Sequence, residues 1–544
     1  MAYFIGVDVG TGSARAALFN SDGTIVKSAL RNIEIFNPAA NFYEQSSENI
    51  WKSVVHVVKI VKCGIPVNSI KGIGFDATCS LVALDQFGSP VSVSSTGRNE
   101  QNVVLWMDHR AEAEANYINT LGHELLRNVG GKISLEMEIP KILWLKNNLP
   151  EQWQKMKLLF DLPDFLTWKA TNSETRSLCS LVCKWNYRAS PDAKNRWDFD
   201  FFDQIGLSSL KDDHWRRIGN VVKLPGEAVG SGLSAKAAAE LELWEGMPVG
   251  CSLIDAHAGA LGMLGCRAPG ISDDVTTRLS LICGTSTCHM ALSDKGIFVE
   301  GVWGPYFSAI IADYWLNEGG QSATGKLLDH IIESHPATSQ IRMKMDSKMH
   351  VQQYLTDLLQ SMATKKNHAD VAFLTKDYHV WPDFHGNRSP LADPSLQGMI
   401  SGLSLANDEE NLAVLYLATM HALTYGTRHI LDELTKAGHK IETVLICGGL
   451  SQNSLFVQSQ ADVLGLPVLI PNERESVLLG AAILGACASG QFTNFQKAMS
   501  SMGGSGTVVK PNNISYPFHC RKYRVFQKMV KDQKEYRKIM HESM

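Results

Sequence analysis

No stretch of this chain offers about 18 uninterrupted apolar residues, so a membrane-spanning helix is not expected. No charge of one sign dominates either. There are 51 Lys and Arg against 55 Asp and Glu, a formal net charge of −4. A nucleic-acid or membrane-surface partner favours a basic patch, and this balance argues against both. The eleven cysteines are odd in number and include no CxxC pair. That argues against a disulfide framework and for reduced thiols in a cytoplasmic protein. Cys251, Cys283, Cys447 and Cys487 lie inside apolar runs, as buried thiols do. The P-loop sequence GxxxxGK[ST] is missing, which disfavours that class of nucleotide site. The first strand begins almost at Met1 and leaves no room for a signal peptide.

What is present reads as an ordinary globular chain, 44% apolar and 19% charged over 544 residues. That length predicts two domains, or three. "YFIGVD", "ARAALFN" and "GTIVKSAL" read as three successive strands, with "SDG" as the turn between the last two. "SENIWKSVVHVVKIVKC" places apolar residues at 50, 51, 54, 55, 57, 58 and 61, the spacing of a helical face. "IKGIGFDA" and "SLVALD" are strands again. Strands alternating with helices predict an α/β fold, with helices packed on a mixed sheet.

The second half starts in the same way. "RLSLICGTSTCHMALSD" is strand, turn, strand, and "GTSTCHMAL" from Gly284 aligns without a gap on "GTGSARAAL" from Gly10. Both follow an apolar strand, so duplication is the better reading. The boundary is expected in the turn-rich "GCRAPGISDDV", giving domains 1–268 and 269–544. Asp8 has no carboxylate counterpart in the second copy, where Ile282 precedes Cys283. Further on, "IETVLICGG" is a strand and "NSLFVQSQADVLG" a helix. The tail from Gly504 includes a basic amphipathic helix, expected to pack with one solvated face.

The chemistry concentrates at the turns. A Gly- and Ser/Thr-rich turn exposes N–H groups and hydroxyls that cradle phosphate oxygens. Two such loops facing each other would hold one polyphosphate from both sides of a cleft. A carboxylate beside them, Asp8, then needs a cation between itself and the phosphates. Gly448 and Gly449 allow close backbone approach to a flat ligand, and Asn453 is placed to bond a purine edge. Asp255 and His257 follow an apolar stretch between the two loops. Phosphoryl transfer to an alcohol needs a base near the acceptor, and Asp255 is the best-placed carboxylate in sequence order.

In that order, "GVDVGTGSARAAL", "LIDAHAGALG", "ICGTSTCHMAL" and "CGGLSQN" resemble the FGGY carbohydrate kinases. "KILWLK" (141–146) is similar to that family's first-domain signature, and the likeness covers roughly residues 3 to 490. "GFDATCSLVALD", "WMDHRA", "SLCSLVCKW", "LNEGGQS" and "DFHGNRSPLADP" resemble the ribulokinase branch. The resemblance implies two actin-like ATPase domains with mixed sheets, flanking helices and a cleft between them, a fold shared with hexokinases and Hsp70 chaperones. It implies ATP and Mg²⁺, with Asp8 and Asp255 facing the metal and Asp255 as general base. Thr11, Gly12, Ser13 and Arg15 match the first phosphate loop, Gly284 and Thr285 the second, and Gly448, Gly449 and Asn453 the adenosine loop. Ala77, Lys184 and Glu318 match positions lining the ribulose site, with Asp108 and His109 in a loop nearby. Arg15 has a plainer alternative, a salt bridge along its hairpin. Lys184 has one too, a surface lysine with a buried stem.

The Arg-Glu pair of glycerol kinases is replaced by "WMDHRA", which favours a longer polyol or a ketose. The implied reaction is ATP-dependent phosphorylation of a ketopentose at its terminal hydroxyl, D-ribulose first. Xylulose, L-ribulose or ribitol remain open as acceptors. The implied partners are ATP and a sugar, with no nucleic acid and no membrane, and a homodimer is allowed. A reading from another class is an ATP-gated module of the actin/Hsp70 type. It has no use for a polar cluster at 76–80, 108–110, 184 and 318.

Overall fold

The computed structural model describes residues 2–346 and 349–541. The first sheet is built from β1 (Tyr3–Val9), β2 (Ser13–Asn20), β3 (Ile25–Asn32), β4 (Ile70–Ala77) and β5 (Val249–Ile254), in the order β5-β4-β1-β2-β3. β1 runs antiparallel to β2 and parallel to β4, and β5 is parallel to β4. Phe4, Ile5, Val7 and Val9 of β1 are wholly buried, worth about 1.5–3 kcal/mol for each such side chain. Helix α1 (Ser47–Lys62) begins at Ser46, whose side chain accepts from the Asn49 N–H. It buries Ile50, Trp51, Val54, Val57, Val58 and Val61, as the spacing predicts. Val55 is half-buried instead.

The second sheet repeats this plan. Its strands are β6 (Arg278–Cys283), β7 (Thr287–Ser293), β8 (Trp303–Phe307), β9 (Trp315–Gln321), β10 (Thr443–Cys447), β11 (Val468–Pro471) and β12 (Gly506–Val509). Their order is β8-β9-β7-β6-β10-β11-β12. β6 is antiparallel to β7, parallel to β10, and β10 is parallel to β11. Five strands therefore match the first sheet one for one in order and direction: β11, β10, β6, β7 and β9 stand for β5, β4, β1, β2 and β3. The repeated nine-residue motif marks the matching hairpin in each sheet. In each, the first glycine's N–H donates to a serine carbonyl, Gly10 to Ser13 at 3.0 Å and Gly284 to Ser286 at 2.9 Å.

Five further helices position the site. α2 is Leu178–Lys184, α3 Asp255–Leu264, α4 Glu409–Ala437, α5 Ser454–Leu464 and α6 Ser476–Ala488. The expected division at 268/269 puts each sheet in its own half, yet α6, from the second half, packs on β1, β4 and β5 of the first and against α3. Glycine makes this approach possible. A Cβ on Gly6 would lie 2.0 Å from the Leu478 carbonyl oxygen, and one on Gly74 2.0 Å from that of Ala481. The tail adds β12 to the edge of the second sheet, antiparallel to β11. α7 (Tyr516–His541) then buries Tyr523, Phe526, Met529 and Val530 against Trp381, Leu396 and Tyr425. It is a packing helix. Among the described residues no helix is long and apolar enough to cross a membrane.

Candidate active site

Three parallel strands of the first sheet end together, and each ends on a carboxylate. In the β1–β4 ladder Asp8 stands opposite Asp76. In the β4–β5 ladder Ile254 stands opposite Ala77. Asp255 follows as the first residue of α3. Asp8 and Asp76 are buried and Asp255 is partly so. Burial pushes the Asp76 carboxyl well above its usual range, and the neighbouring Asp8 and Asp255 push it further. Neither oxygen of Asp76 has a hydrogen-bond partner. Burial, then Asp8, moves Asp255 up to about 7, while the Ala256 N–H donates to its Oδ1 at 2.7 Å. The two unpartnered oxygens of Asp76, buried beside Asp8 and Asp255, suit a hard divalent cation with oxygen ligands.

Arg15 faces Asp8 across the β1–β2 ladder. Its Nε donates to Asp8 Oδ2 at 2.7 Å, its Nη2 bonds the same oxygen, and its Nη1 reaches Glu475 of the second half at 3.0 Å. The plainer alternative thus describes its place, a salt bridge along the hairpin, extended across the two halves. Thr11 is also held. Trp106 Nε1 donates to its hydroxyl at 2.9 Å, and Gln45 Nε2 to its carbonyl at 2.8 Å. Gly12, Gly284 and Thr285 are exposed, and Ser13 is half-buried.

Lys184 ends α2 and Glu318 sits in β9, so each half contributes one charge. Their side chains, both 3% exposed, meet at 3.3 Å. Lys184 Nζ also lies 4.2 Å from the centre of the Trp303 ring. Burial disfavours the Lys184 ammonium, but Glu318 together with Cys79, Glu136 and Cys183 outweighs it, and the net shift is upward. Burial likewise disfavours the Glu318 carboxylate, and Lys184, His257 and Arg388 hold its pKa low. The surface-lysine alternative does not describe this residue. A second link between the halves lies nearby, where Arg388 Nη2 donates to Glu136 Oε1 at 2.7 Å.

Four expected site residues are engaged by neighbouring groups of the protein. Asp108 is consumed by structure: Arg110 donates to both its oxygens at 2.8 Å and Tyr43 N–H donates to Oδ2 at 2.7 Å, with no exposure left. Ala77 is fully buried in the apolar cluster of Val7, Val9 and Phe75, so its methyl belongs to the core. Asn453 caps α5. Its Oδ1 accepts from the Leu455 and Phe456 N–H groups, and its Nδ2 donates to Tyr416 Oη at 2.9 Å. The helix takes the amide that was expected on a purine edge. His109 stacks on His385 from the second half at 5.9 Å, its pKa lowered by burial and then by His385. Gly448, expected to let a flat ligand approach, is pressed against the backbone of β6. Its φ is +87°, and a Cβ would lie 2.4 Å from the Cys283 carbonyl oxygen.

Sequence reading missed Asp76, Glu136, Trp303 and Arg388 as individual residues. For Asp76 a signal existed. "GVDV" at 6–9 and "GFDA" at 74–77 share Gly-x-Asp at a strand end, and the ladder pairs them.

Residues 3–262 match the N-terminal domain, and residues 279–489 the C-terminal domain, of the FGGY family of carbohydrate kinases. The chain belongs to the FGGY carbohydrate kinases. The FGGY carbohydrate kinase domain-containing protein of Xenopus laevis is 50% identical over 545 residues, covering 99% of this chain and 98% of that protein. The D-ribulokinase of Saccharomyces cerevisiae is 39% identical over 543 residues, covering 94% of this chain and 76% of the yeast protein. Among solved structures, xylulose kinase from Rhodospirillum rubrum superposes with a TM-score of 0.77 at 18% identity, covering 98% of this chain and 99% of its own. The actin-like fold is thereby shared, and this FGGY chain is a sugar kinase.

Proposed function

We propose that this kinase transfers the γ-phosphoryl group of ATP to the terminal hydroxyl of a ketopentose, with D-ribulose giving D-ribulose 5-phosphate. One observation carries the reading. A carboxylate pushed up to about 7, Asp255, stands beside two buried carboxylates, Asp8 and Asp76, within reach of the Lys184–Glu318 pair that joins the two halves. A base poised near the operating pH is what proton removal from an alcohol needs. Asp255 takes the hydroxyl proton as the oxygen attacks phosphorus. The Gly10 and Gly284 N–H groups close their own turns, and the Thr11, Gly12 and Thr285 N–H groups beside them hold the phosphates from the two sides. Asp8 and Asp76 would hold Mg²⁺, which when bound neutralises charge on the transferred phosphoryl. Lys184 and Glu318 offer donors and an acceptor to sugar hydroxyls. The yeast relative's name supports a ribulose acceptor. An ATP-gated module without an acceptor would gain nothing from a buried Lys–Glu pair, which by itself is weak support for stability.

A panel of D-ribulose, L-ribulose, xylulose and ribitol, followed by ADP release, tests this. D-ribulose should give the highest kcat/KM. A higher value for any other acceptor would replace D-ribulose as substrate, and no release above the ATP-only rate with any of them would remove the pentulose reading.

A further inference from the structure

Behind the sugar-facing pair lies a cluster that phosphoryl transfer does not use. Cys179 and Cys183 are four residues apart on α2, so their side chains share one face. His257 comes from the first turn of α3. The Sγ atoms of both cysteines and a ring nitrogen of His257 all lie within 4.8 Å of one another, fully buried. Cys183 Sγ is 3.3 Å from His257 Nε2. Glu318 Oε2 lies 3.6 Å from the same His257 Nε2 and has no hydrogen-bond partner.

We propose that Cys179, Cys183 and His257 form a site for a borderline-soft divalent cation such as Zn²⁺, that Glu318 shifts from His257 to complete it, and that filling it blocks the sugar. Zn–S bonds of about 2.3 Å and Zn–N bonds of about 2.0–2.1 Å place tetrahedral ligands roughly 3.3–3.8 Å apart. The Cys183–His257 and His257–Glu318 separations fall in that range before any movement. Two thiolates and one imidazole select such a metal over Mg²⁺, which prefers oxygen and water. The charge also balances. The cation enters as both thiols lose their protons to solvent, so the cluster's net charge is the same before and after. No buried charge is created, which is the usual obstacle to putting an ion into a core. The carboxylate of Glu318 then bridges, Oε1 on Lys184 and Oε2 on the metal. It is no longer free for a sugar hydroxyl. This last consequence rests on the reading of Glu318 as sugar-facing, whereas the site itself does not.

Co²⁺ is the spectroscopic probe, added to the full chain under reducing conditions with Mg²⁺ present. One equivalent should bring up thiolate-to-cobalt charge transfer in the near ultraviolet and the intense visible bands of a tetrahedral ion. Two protons should be released per metal, a count that needs no variant. Cys179→Ser and Cys179→Ala should each lose most of the charge transfer. Zn²⁺ should raise KM for the pentulose tenfold or more, leave KM for ATP within twofold, and fail to inhibit the Cys179 variants. Absence of charge transfer at one equivalent, or its survival in both variants, would overturn the site. Charge transfer without sugar competition would overturn the link to Glu318 alone.

Discussion

Replacing Lys184 by methionine separates sugar binding from ATP binding. Methionine keeps the unbranched stem and most of the volume but loses three N–H donors. The wild-type ammonium lies 3.3 Å from Glu318 and 4.2 Å from the Trp303 ring, with 3% of the side chain exposed. A hydrogen bond from a charged donor is worth about 1.5–3 kcal/mol. At about 1.4 kcal/mol per tenfold, KM for the pentulose should rise roughly ten- to a hundredfold or more. KM for ATP should stay within twofold, because no phosphate-facing turn touches Lys184. Stability should fall as well. Removing one partner of a buried pair costs about 3–5 kcal/mol, whereas replacing both with apolar residues is often neutral. Lys184→Met should therefore lower Tm, and Lys184→Met with Glu318→Met should recover most of it while remaining inactive. Steady-state kinetics with each substrate varied in turn and thermal melts of the two variants provide the assay. An unchanged pentulose KM in the single variant would refute the reasoning, whatever the melting temperature does.

Asp255→Asn should lower kcat about 10²–10⁴-fold with ATP still bound, measured by ADP release and by calorimetry. Its stability effect has a sign that pH reveals. The folded carboxyl titrates near 7, above its ordinary value, so the folded state holds the extra proton between about pH 4 and 7 and loses stability as pH rises through that window. The asparagine variant, ligand-free and without Mg²⁺, should melt higher than wild type at pH 8 and converge on wild type as pH falls to about 4. Gly74→Ala drives a methyl to within 2.0 Å of the Ala481 carbonyl oxygen. It should cost about 1–3 kcal/mol as overpacking, seen in denaturant unfolding. In Gly12→Ala the same methyl meets nothing within 4 Å; this variant should keep its Tm and raise KM for ATP. Asn453→Ala should cost about 1 kcal/mol through the lost cap and leave the ATP-to-GTP preference unchanged, since the amide is spent on Leu455, Phe456 and Tyr416.

Much of this was readable because the informative residues are local. Strand period, the turn glycines and the repeated motif come from neighbours in sequence, and they give both hairpins and the order of the site. Asp255, Lys184 and Glu318 could be named singly from sequence, but the meeting of Lys184 with Glu318 is a long-range event that no spacing encodes. Asp108 and Asn453 show the converse limit. A carboxylate in a loop and an amide at a helix start look free in sequence, and each is used up by a partner that arrives through folding, Arg110 for one and the first turn of α5 for the other. The placement of α6 on the opposite half was written only in small residues, Gly6 and Gly74, and needed the packed helix to interpret.

The two sheets share one topology but not one charge. In the first, the ladder pairs Asp8 with Asp76; at the matching place in the second it pairs Ile282 with Cys447. Both hairpins keep the glycine turn, so both can present N–H groups to a phosphate. Had both kept the carboxylates, four or more negative groups would face a polyphosphate, and each buried acid would push up the pKa of the next, as Asp8 and Asp255 already do to Asp76. With strand-end acids in one copy alone, only the first sheet's hairpin stands beside carboxylates that can hold a cation. The same asymmetry fixes direction. Asp255 stands beside those carboxylates, next to where the metal would sit, so on the proposed reading the hydroxyl loses its proton on the side from which it attacks. On the same reading the second hairpin, with Ile282 and Cys447 in place of the acids, meets the diphosphate of the leaving ADP without repelling it.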